Sequence, residues 1–508
     1  MSNVQAHHPV VPPSLDPTAD QILEMGQAAI QIIADYYGAL RRVAIVPNTS
    51  SRAVREKLYQ EFPFEGKDFN ELLDHINQVI FTLSRHNGHP RFFGYIASPG
   101  SAATAIADLL ASTLNPSLTS WRSAPAAAEI ERQTIGWIKQ IIAYVPEAEG
   151  LFVSGGSMAN LCALAVAREA KAPCNTKSLG CQALDRPMRF YVSEEGHHSL
   201  SKAAGLLGIG QDNVRRVAVN ERFQLDTQAL VKLIEEDRAS GCLPFCVVAT
   251  AGTVSTGACD RLEEVAEVAS RYGLWYHVDA CYGGFAALAP SKRDLLCGID
   301  RADSIALDPH KWLYVPGDCG CILYRDPARA RATFGHEAEY IRIMAANADE
   351  AFAYWDYGPE LTRRFRALKV WMMLSHVGTF ALSQAIESNC RCAQYLAQLV
   401  GQANDLEMMA PVELSIFCLR YVPPQMKAAY ATALAPQRSA IDQELDELNE
   451  RILTAVQRGG SSYLSNASIA GRFALRGCVL NYRTSERDME VLLDDIRQAG
   501  TQLSTMDR

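Results

Sequence analysis

The stretch Asp303-Ser-Ile-Ala-Leu-Asp-Pro-His-Lys-Trp-Leu-Tyr-Val-Pro-Gly-Asp-Cys-Gly320 decides how the rest of the chain is interpreted. Its apolar run at residues 305–307 predicts a buried strand, and Asp308-Pro309 is a turn signal that ends it. Lys311 follows directly, and a lysine at the exit of a buried strand must be desolvated or paired. Desolvation lowers the pKa of a lysine and makes its amine a nucleophile suited to a Schiff base. A surface lysine in a turn is the alternative.

Apolar runs of strand length recur through the middle of the chain, and helical patterns lie between most of them. This alternation predicts an α/β domain around a largely parallel sheet. In such sheets ligands bind beyond the carboxyl ends of the strands. Functional residues are therefore expected directly after the apolar runs, which cover residues 151–153, 190–192, 214–219, 245–250, 274–278, 305–307 and 321–324.

The segment Leu151-Phe-Val-Ser-Gly-Gly-Ser157 predicts a strand, a glycine turn and the start of a helix. Gly155 and Gly156 let the backbone approach an anion, and Ser157 adds a hydroxyl. The first turn of the following helix supplies free N–H groups and the positive end of the helix dipole. The segment is a candidate phosphate cradle, although an ordinary turn is the alternative.

Two further polar groups follow predicted strands. Asp279 comes directly after the run 274–278, and a buried carboxylate needs a partner. A structural aspartate that caps a turn is the alternative. His197 and His198 follow the run 190–192, and here a structural histidine is the alternative. The separation of Asp279 from Lys311 predicts one strand–helix–strand unit between them.

The segments Asp308-Pro-His-Lys-Trp312, Asp279-Ala-Cys-Tyr-Gly-Gly284 and the Gly-Gly-Ser turn resemble group II amino acid decarboxylases, which depend on pyridoxal 5′-phosphate (PLP). This group includes the aromatic-amino-acid decarboxylases and the glutamate decarboxylases. The resemblance covers roughly residues 20–500, in matching order. It implies an α/β enzyme of fold-type I, with a mainly parallel seven-stranded sheet, an N-terminal helical flap and a small C-terminal α/β domain.

The resemblance also implies roles for individual residues. Lys311 would carry PLP as a Schiff base, His197 would stack on the ring, and Tyr340 on a flexible loop would protonate the carbanionic carbon. Cofactor contacts are expected from Gly156, Ser157, Thr253, Asp279, Cys281, Asp308, His310 and Lys311. Substrate contacts are expected from Tyr95, Ser98, Thr119 and Trp121.

The expected organisation has three parts. Residues 1–100 form an N-terminal arm and helical dimerisation segment, residues 101–376 the large PLP-binding domain, and residues 377–508 the small C-terminal domain. Three amphipathic helices precede the first predicted strand, and they cannot easily make a core of their own. A partner subunit is the natural candidate to cover them, and the resemblance implies a homodimer with active sites at the subunit interface. Arg363 would lie near that interface.

Composition narrows the function further. The chain has 48 basic and 57 acidic residues and a net charge of −9, which argues against nucleic acid as the main partner. No apolar run reaches about 18 residues, so no membrane-spanning helix is expected. The first 17 residues lack the pattern of a secretory signal. Fourteen cysteines without a disulfide framework or zinc-site spacing favour free thiols in the cytoplasm and no metal site.

The predicted function is PLP-dependent decarboxylation of an L-amino acid, with an aromatic substrate favoured, to the amine and carbon dioxide. An acidic or sulfinic substrate, for which Arg122 is the candidate partner, and an aliphatic substrate remain alternatives. Decarboxylation coupled to oxidative deamination would give an aldehyde instead, but His197 and Tyr340 favour the simple reaction. An aminotransferase and a non-catalytic protein on the same fold are less favoured alternatives.

Overall fold

The computed structural model describes residues 15–335 and 352–506. The chain divides into two compact units, Met1–His86 and Asn87–Arg508. The three-part division expected from the sequence, with boundaries after residues 100 and 376, stays a prediction. Within the described ranges, no helix combines the length and the apolar character needed to cross a membrane.

The first unit is built of helices with little burial. Its α-helices are α1 (Ala19–Ala39), α2 (Ser51–Leu58) and α3 (Phe69–His75), and a π-helix (Ile76–Phe81) continues α3. Thr18 caps α1 through a capping box, since its hydroxyl accepts from the Gln21 N–H and the Gln21 side chain accepts from the Thr18 N–H. None of these four helices holds a buried residue. Large apolar side chains are exposed on them among the described residues, including Ile22, Leu23 and Ile30.

The second unit contains a seven-stranded sheet with the strand order β1-β7-β6-β5-β4-β2-β3. Strands β2 to β6 pair in parallel, and β7 runs antiparallel between β6 and β1. The strands are β1 (Glu149–Val153), β2 (Met188–Ser193), β3 (Val214–Val217), β4 (Leu243–Thr250), β5 (Trp275–Asp279), β6 (Ser304–Leu307) and β7 (Gly320–Tyr324). The predicted α/β architecture with a mainly parallel seven-stranded sheet is confirmed.

Helices cover this sheet because its central strands are buried on both faces and must be shielded from water. The helices up to β7 and just beyond are α4 (Ala102–Leu114), α5 (Pro125–Ile141), α6 (Gly156–Lys171), α7 (Thr176–Leu179), α8 (His198–Leu206), α9 (Thr227–Ala239), α10 (Leu262–Tyr272), α11 (Pro309–Trp312) and α12 (Pro327–Phe334). Helix α6 contacts β1, β4, β5, β6 and β7 and is the central helix of this layer.

The connection from β5 to β6 differs from the sequence prediction. Three 3-10 helices (Gly283–Leu288, Arg293–Leu296 and Ile299–Arg301) replace the expected α-helix. The chain packs closely against β6 here: a Cβ on Gly284 would lie 2.2 Å from the Leu307 side chain. The backbone at Gly284 therefore lies directly against β6, where a side chain would not fit.

A smaller antiparallel sheet lies in the C-terminal part, with the order β10-β11-β9-β8. Its strands are β8 (Leu406–Met408), β9 (Ile416–Tyr421), β10 (Ser465–Ile469) and β11 (Arg472–Cys478). The helices of this part are α13 (Ala367–His376), α14 (Gly378–Gly401), α15 (Pro424–Thr432), α16 (Ala435–Gly459) and α17 (Glu486–Met506). The two edge strands, β8 and β10, have no long apolar run, so the sequence does not indicate them.

Arg363 lies just before α13, which begins at Ala367. Its guanidinium is fully buried and pairs with Glu131 on α5. It also donates to the carbonyls of Leu118 (3.2 Å) and Phe152 (2.8 Å). Burying this charge requires such partners, and the chain reaches them in an irregular segment before α13 begins.

Candidate active site

A cavity of about 370 Å³ lies beyond the carboxyl ends of β1, β2, β4, β5 and β6. This is the edge where open α/β sheets bind their ligands. The residues that line it are Ile96, Ser154, Gly155, Gly156, Ser157, Met158, Asn160, His197, Thr250, Gly252, Val254, Asp279, Cys281, Tyr282, Asp308, His310 and Lys311. Most of the polar groups predicted from separate stretches of sequence therefore meet in one place.

Lys311 lies on the short helix α11, which several contacts hold in place. The Ser98 hydroxyl donates to the His310 carbonyl at 2.7 Å, and His310 Nδ1 lies 2.8 Å from the Cys319 carbonyl. The Trp312 ring stacks on Tyr282 with a centroid distance of 4.8 Å. The turn that presents the lysine is thus fixed on both sides.

The electrostatics of Lys311 differ from the sequence prediction. Burial disfavours its charge, as expected, but Asp308 Oδ2 lies only 2.9 Å from Nζ. Burial is the largest single effect, but the attraction and hydrogen bond of Asp308, with smaller contributions from Cys281 and Asp279, together outweigh it, so the pKa of Lys311 is raised rather than lowered. The predicted lowering was wrong because the sequence did not reveal that Asp308 folds back onto the lysine.

Asp279 is a buried carboxylate held in its ionised form. Burial opposes ionisation, but hydrogen bonds outweigh it and the pKa of Asp279 lies below its ordinary value. Asn160 Nδ2 donates to Oδ2 at 2.8 Å, and the Cys281 backbone N–H donates to Oδ1 at 3.2 Å. A negative charge is therefore kept at the floor of the cavity, where it can stabilise a cationic ligand atom.

His197 is the N-cap of α8. Its Nδ1 accepts the Ser199 backbone N–H at 3.2 Å and lies 2.8 Å from the Ser199 hydroxyl. Partial burial lowers the pKa of His197, so the ring is neutral at pH 7. The helix cap fixes the position of this ring at the wall of the cavity.

The glycine turn between β1 and α6 has no space for a side chain at Gly156. A Cβ on Gly156 would lie 2.5 Å from Cys281 Sγ and 2.9 Å from Asp308 Oδ2. Gly155 packs against Gly320, where an added Cβ would meet its backbone at 2.5 Å. The turn opens onto the first turn of the sixteen-residue helix α6, whose N–H groups and dipole favour an anion.

These features fit PLP. Thr250 Oγ1 and Asp308 Oδ1 are buried and have no hydrogen-bond partner among the described residues, although both residues line the cavity. Buried polar atoms are normally satisfied, so these two indicate a polar ligand. The glycine turn suits a phosphate, Asp279 suits a protonated ring nitrogen, and the Lys311 amine suits an aldehyde. Together they match the functional groups of this cofactor.

The structure gathers most of the predicted cofactor and catalytic residues in the cavity lining, and their roles stay predictions. The residues gathered are Gly156, Ser157, His197, Asp279, Cys281, Asp308, His310 and Lys311. Thr253 lies outside the lining: it is fully buried, and its hydroxyl bonds to Thr256 Oγ1 at 3.0 Å. Thr250, at the end of β4, lines the cavity instead. Tyr340 lies outside the described residues.

The four predicted substrate residues do not line the cavity in this chain. Tyr95 is exposed, and its neighbour Ile96 lines the wall instead. Ser98 supports the lysine turn, as described above. The Thr119 hydroxyl bonds to Ser123 Oγ, and the Trp121 indole donates to Glu129. Their substrate contacts also stay predictions.

Asn160 is a site residue that the sequence reasoning missed. It is the only polar residue between Met158 and Ala167, a stretch that is otherwise apolar. A lone amide on a buried helix face must find partners, and this signal could have identified it. Thr250 carried a weaker signal, because many strands end in threonine.

Comparisons with known proteins agree with this geometry. Residues 52–422 match the family described as the pyridoxal-dependent decarboxylase conserved domain. The chain is 34% identical to an aromatic-L-amino-acid decarboxylase of Bacillus atrophaeus, over 97% of this chain and 98% of that protein. Mouse CSAD has a similar structure, with a TM-score of 0.88, 27% identity and coverage of 95% and 99%. Oryza sativa TDC with PLP and tryptamine has a TM-score of 0.87, 27% identity and coverage of 96% and 99%.

Proposed function

The chain belongs to the family of pyridoxal-dependent decarboxylases, and on that premise we propose that it converts an aromatic L-amino acid to the amine and carbon dioxide. One observation carries the proposal: Lys311, Asp279 and the glycine turn at Gly155-Gly156 converge on a single cavity. These are the amine, the carboxylate and the anion cradle that a PLP enzyme needs, and they come from distant parts of the sequence.

The residues that would hold PLP follow from their chemistry. The turn at Gly155-Gly156 and the start of α6 would receive the phosphate, Asp279 the ring nitrogen, and Lys311 the aldehyde carbon. When bound, PLP supplies a conjugated ring that accepts the electrons released as the bond to the substrate carboxylate breaks. The protein supplies orientation and electrostatics.

Three side chains have defined protonation tasks. Asp279 stays ionised because Asn160 and the Cys281 N–H donate to it, and this charge favours a protonated ring nitrogen. Lys311 Nζ holds a proton opposite Asp308 and can deliver it to a neighbouring basic atom. We propose Tyr340 as the general acid that delivers a proton to the substrate carbon, which yields the amine rather than an aldehyde.

The lining of the cavity supports an uncharged substrate side chain. Among the described lining residues the apolar wall includes Ile96, Met158 and Val254, and no arginine is present. An acidic or sulfinic side chain would need a cationic partner, and Arg122 does not line this cavity. The Bacillus relative acts on aromatic amino acids, and the rice structure holds tryptamine, which supports the aromatic class.

We further propose that the protein works as a homodimer, with residues 1–100 as the dimerisation segment. Helix α4 exposes four large apolar side chains on its surface: Ile106, Leu109, Leu110 and Leu114. The helices of the first unit bury no residue in this chain, as described above. Apolar surface of this extent favours a protein partner, and a second copy is the partner proposed. All fourteen cysteines are free thiols, which supports a cytoplasmic location.

The test is mass spectrometry of the products after the PLP-loaded protein is incubated with single L-amino acids. The panel would hold Phe, Tyr, Trp, DOPA, Glu, Asp, cysteine sulfinate, Leu and Lys. Amine from at least one aromatic member is expected. Amine from an acidic or aliphatic member alone would contradict the substrate class, and aldehyde with peroxide would contradict the amine outcome. No product from any member, or no visible absorbance of bound PLP, would contradict the proposed function.

Light scattering during size-exclusion chromatography tests the dimer separately. One chain weighs 55.8 kDa, and a dimer would appear as a particle of twice that mass. The variant Leu110→Glu, on the exposed face of α4, should shift the protein toward the monomer. A wild-type monomer at micromolar concentration would contradict the dimer.

A further inference from the structure

Asn160 lies at a junction of buried polar side chains beneath the cavity. It is 1% exposed, and all of its polar atoms have partners. Its Nδ2 donates to Asp279 Oδ2 at 2.8 Å and to Ser199 Oγ at 3.0 Å. Its Oδ1 lies 3.0 Å from His277 Nε2. One amide thus contacts the carboxylate, the serine next to His197, and a buried imidazole.

The ionised state of Asp279 decides which atoms donate in the hydrogen bonds that Asn160 makes to Asp279 and His277. A carboxylate only accepts hydrogen bonds, so the nitrogen of the Asn160 amide must face it and the amide cannot be reversed. Oδ1 therefore accepts, and His277 must carry a proton on Nε2. Burial lowers the pKa of His277 to about 4, so the ring is neutral and Nδ1 accepts from the Ser304 hydroxyl at 2.9 Å. That hydroxyl in turn accepts from the Trp275 indole N–H at 2.9 Å.

The Ser304 carbonyl also lies 3.0 Å from His277 Nδ1. A doubly protonated ring would satisfy that contact, and it too donates from Nε2 to Asn160. A single proton on Nδ1 would instead set two lone pairs against each other, at Nε2 and at Asn160 Oδ1. The donor role of His277 toward Asn160 is therefore the same in both permitted states.

A second chain of hydrogen bonds runs from Asn160 through Ser199 to His197. The Ser199 hydroxyl accepts from Asn160, so its own hydrogen is available to His197 Nδ1 at 2.8 Å. The Ser199 backbone N–H also points to Nδ1. Two donors at Nδ1 leave the proton of the neutral ring on Nε2.

We infer that Asn160 is a positioning residue that fixes the hydrogen-bonding roles of Asp279 and His197 together, and this inference rests on the proposed function. A single amide keeps the carboxylate supplied with a donor and keeps Ser199 turned toward the histidine. The two groups that face the cofactor are thereby set as a pair. Changing the amide therefore alters both groups, through its hydrogen bonds to Asp279 and Ser199.

Asn160→Asp is the central variant, because it keeps the shape and the acceptor toward His277 but removes both donors. It also sets a second carboxylate beside Asp279, where two negative charges repel. Asn160→Leu removes all three bonds while it keeps the same number of side-chain heavy atoms and the branch at Cγ. Asn449→Asp is the matched control: Asn449 is fully buried near the small sheet and is bound to the Tyr421 N–H and carbonyl at 2.8 and 2.9 Å.

Three quantities would be measured on the PLP-loaded proteins: kcat and KM, the dissociation constant of PLP, and the pH titration of the visible absorbance of bound PLP. Both Asn160 variants should lower kcat by about 100-fold or more with KM changed less than about threefold. They should also weaken PLP binding by about tenfold and move the absorbance titration by about one pH unit, as expected for loss of one hydrogen bond to a charged group. Asn449→Asp should leave the titration where it is.

Wild-type kcat and an unshifted titration in both Asn160 variants would overturn the inference. If neither variant folds, Ser199→Ala tests the chain of hydrogen bonds from Asn160 through Ser199 to His197 by itself. It should lower kcat/KM by about tenfold, the weight of one neutral hydrogen bond, and leave the absorbance titration unchanged. Wild-type kcat/KM in Ser199→Ala would overturn the coupling. Failure of the proposed function is distinguishable, because it would appear in the wild-type protein as absent amine or absent absorbance of bound PLP.

Discussion

Nζ of Lys311 lies 2.9 Å from Oδ2 of Asp308, and both residues belong to one short turn. Asp308 is almost fully buried, and the lysine side chain is largely buried too. The carboxylate, with smaller contributions from Cys281 and Asp279, overcomes the desolvation of the amine and raises the pKa of Lys311. Each charge is therefore the main partner of the other, and loss of either leaves a buried charge without compensation.

Lys311→Ala should abolish amine production and lower the free energy of unfolding by about 3 kcal/mol, because Asp308 is left unpaired. The double variant Lys311→Ala, Asp308→Asn should recover part of that stability and no activity. Urea unfolding of the single and double variants gives the comparison, and neither can hold PLP through the lysine. Equal stability of the two, or retained turnover in either, would contradict this role for the pair.

The lowered pKa of His197 predicts how kcat/KM depends on pH on the acid side. Partial burial lowers its pKa below the ordinary 6.5, so the neutral ring is present at pH 7 and is protonated as the pH falls through the lowered pKa. The value of kcat/KM should therefore decline on the acid side. His197→Gln should cost about 100-fold in kcat and remove that decline. His198→Gln is the control, because His198 is the adjacent histidine and lies outside the cavity lining. An unchanged profile in His197→Gln would contradict the assignment.

His277 predicts how stability depends on pH. Burial lowers its pKa from 6.5 to about 4. The unfolded chain binds a proton below pH 6.5 while the folded chain does not until about pH 4, so stability falls as the pH drops across that window. A difference of this size corresponds to about 3 kcal/mol. His277→Gln should flatten the dependence, whereas His376→Gln, at an exposed position, should not. Thermal unfolding from pH 4 to 7.5 measures the pH dependence of stability in both variants.

Arg476 predicts a change in KM. Its guanidinium is buried and donates to the Tyr95 carbonyl at 2.6 Å, next to the lining residue Ile96, and to the carbonyl of the lining residue Val254 at 2.8 Å. Lysine cannot span both carbonyls because it lacks the planar fork. Arg476→Lys should raise KM by about tenfold, the weight of one lost hydrogen bond to a charged group, and change kcat little. Arg472→Lys on the same strand is the control. Steady-state kinetics decides, and an unchanged KM in Arg476→Lys would exclude the bridge as a determinant of substrate binding.

The sequence predicted the fold well where apolar runs were long. Each strand of the large sheet falls on a run that was recognised beforehand, because strands buried on both faces need continuous apolar residues. Short edge strands such as β8 (Leu406–Met408) carry no such run and were missed. The segment between Asp279 and Lys311 was predicted as helix, but it forms 3-10 turns, and its backbone at Gly284 lies directly against β6.

The sequence by itself determined the chemical inventory of this protein: the glycine turn, Asp279, His197 and Lys311, each at the exit of a strand. Short motifs suffice there, because each residue follows from its local neighbours. Only the tertiary structure decided the state of those groups. The raised pKa of Lys311 comes from Asp308, and the low pKa of Asp279 depends on Asn160, more than a hundred residues away. Electrostatic interactions depend on distance in space, and distance along the chain does not reveal it.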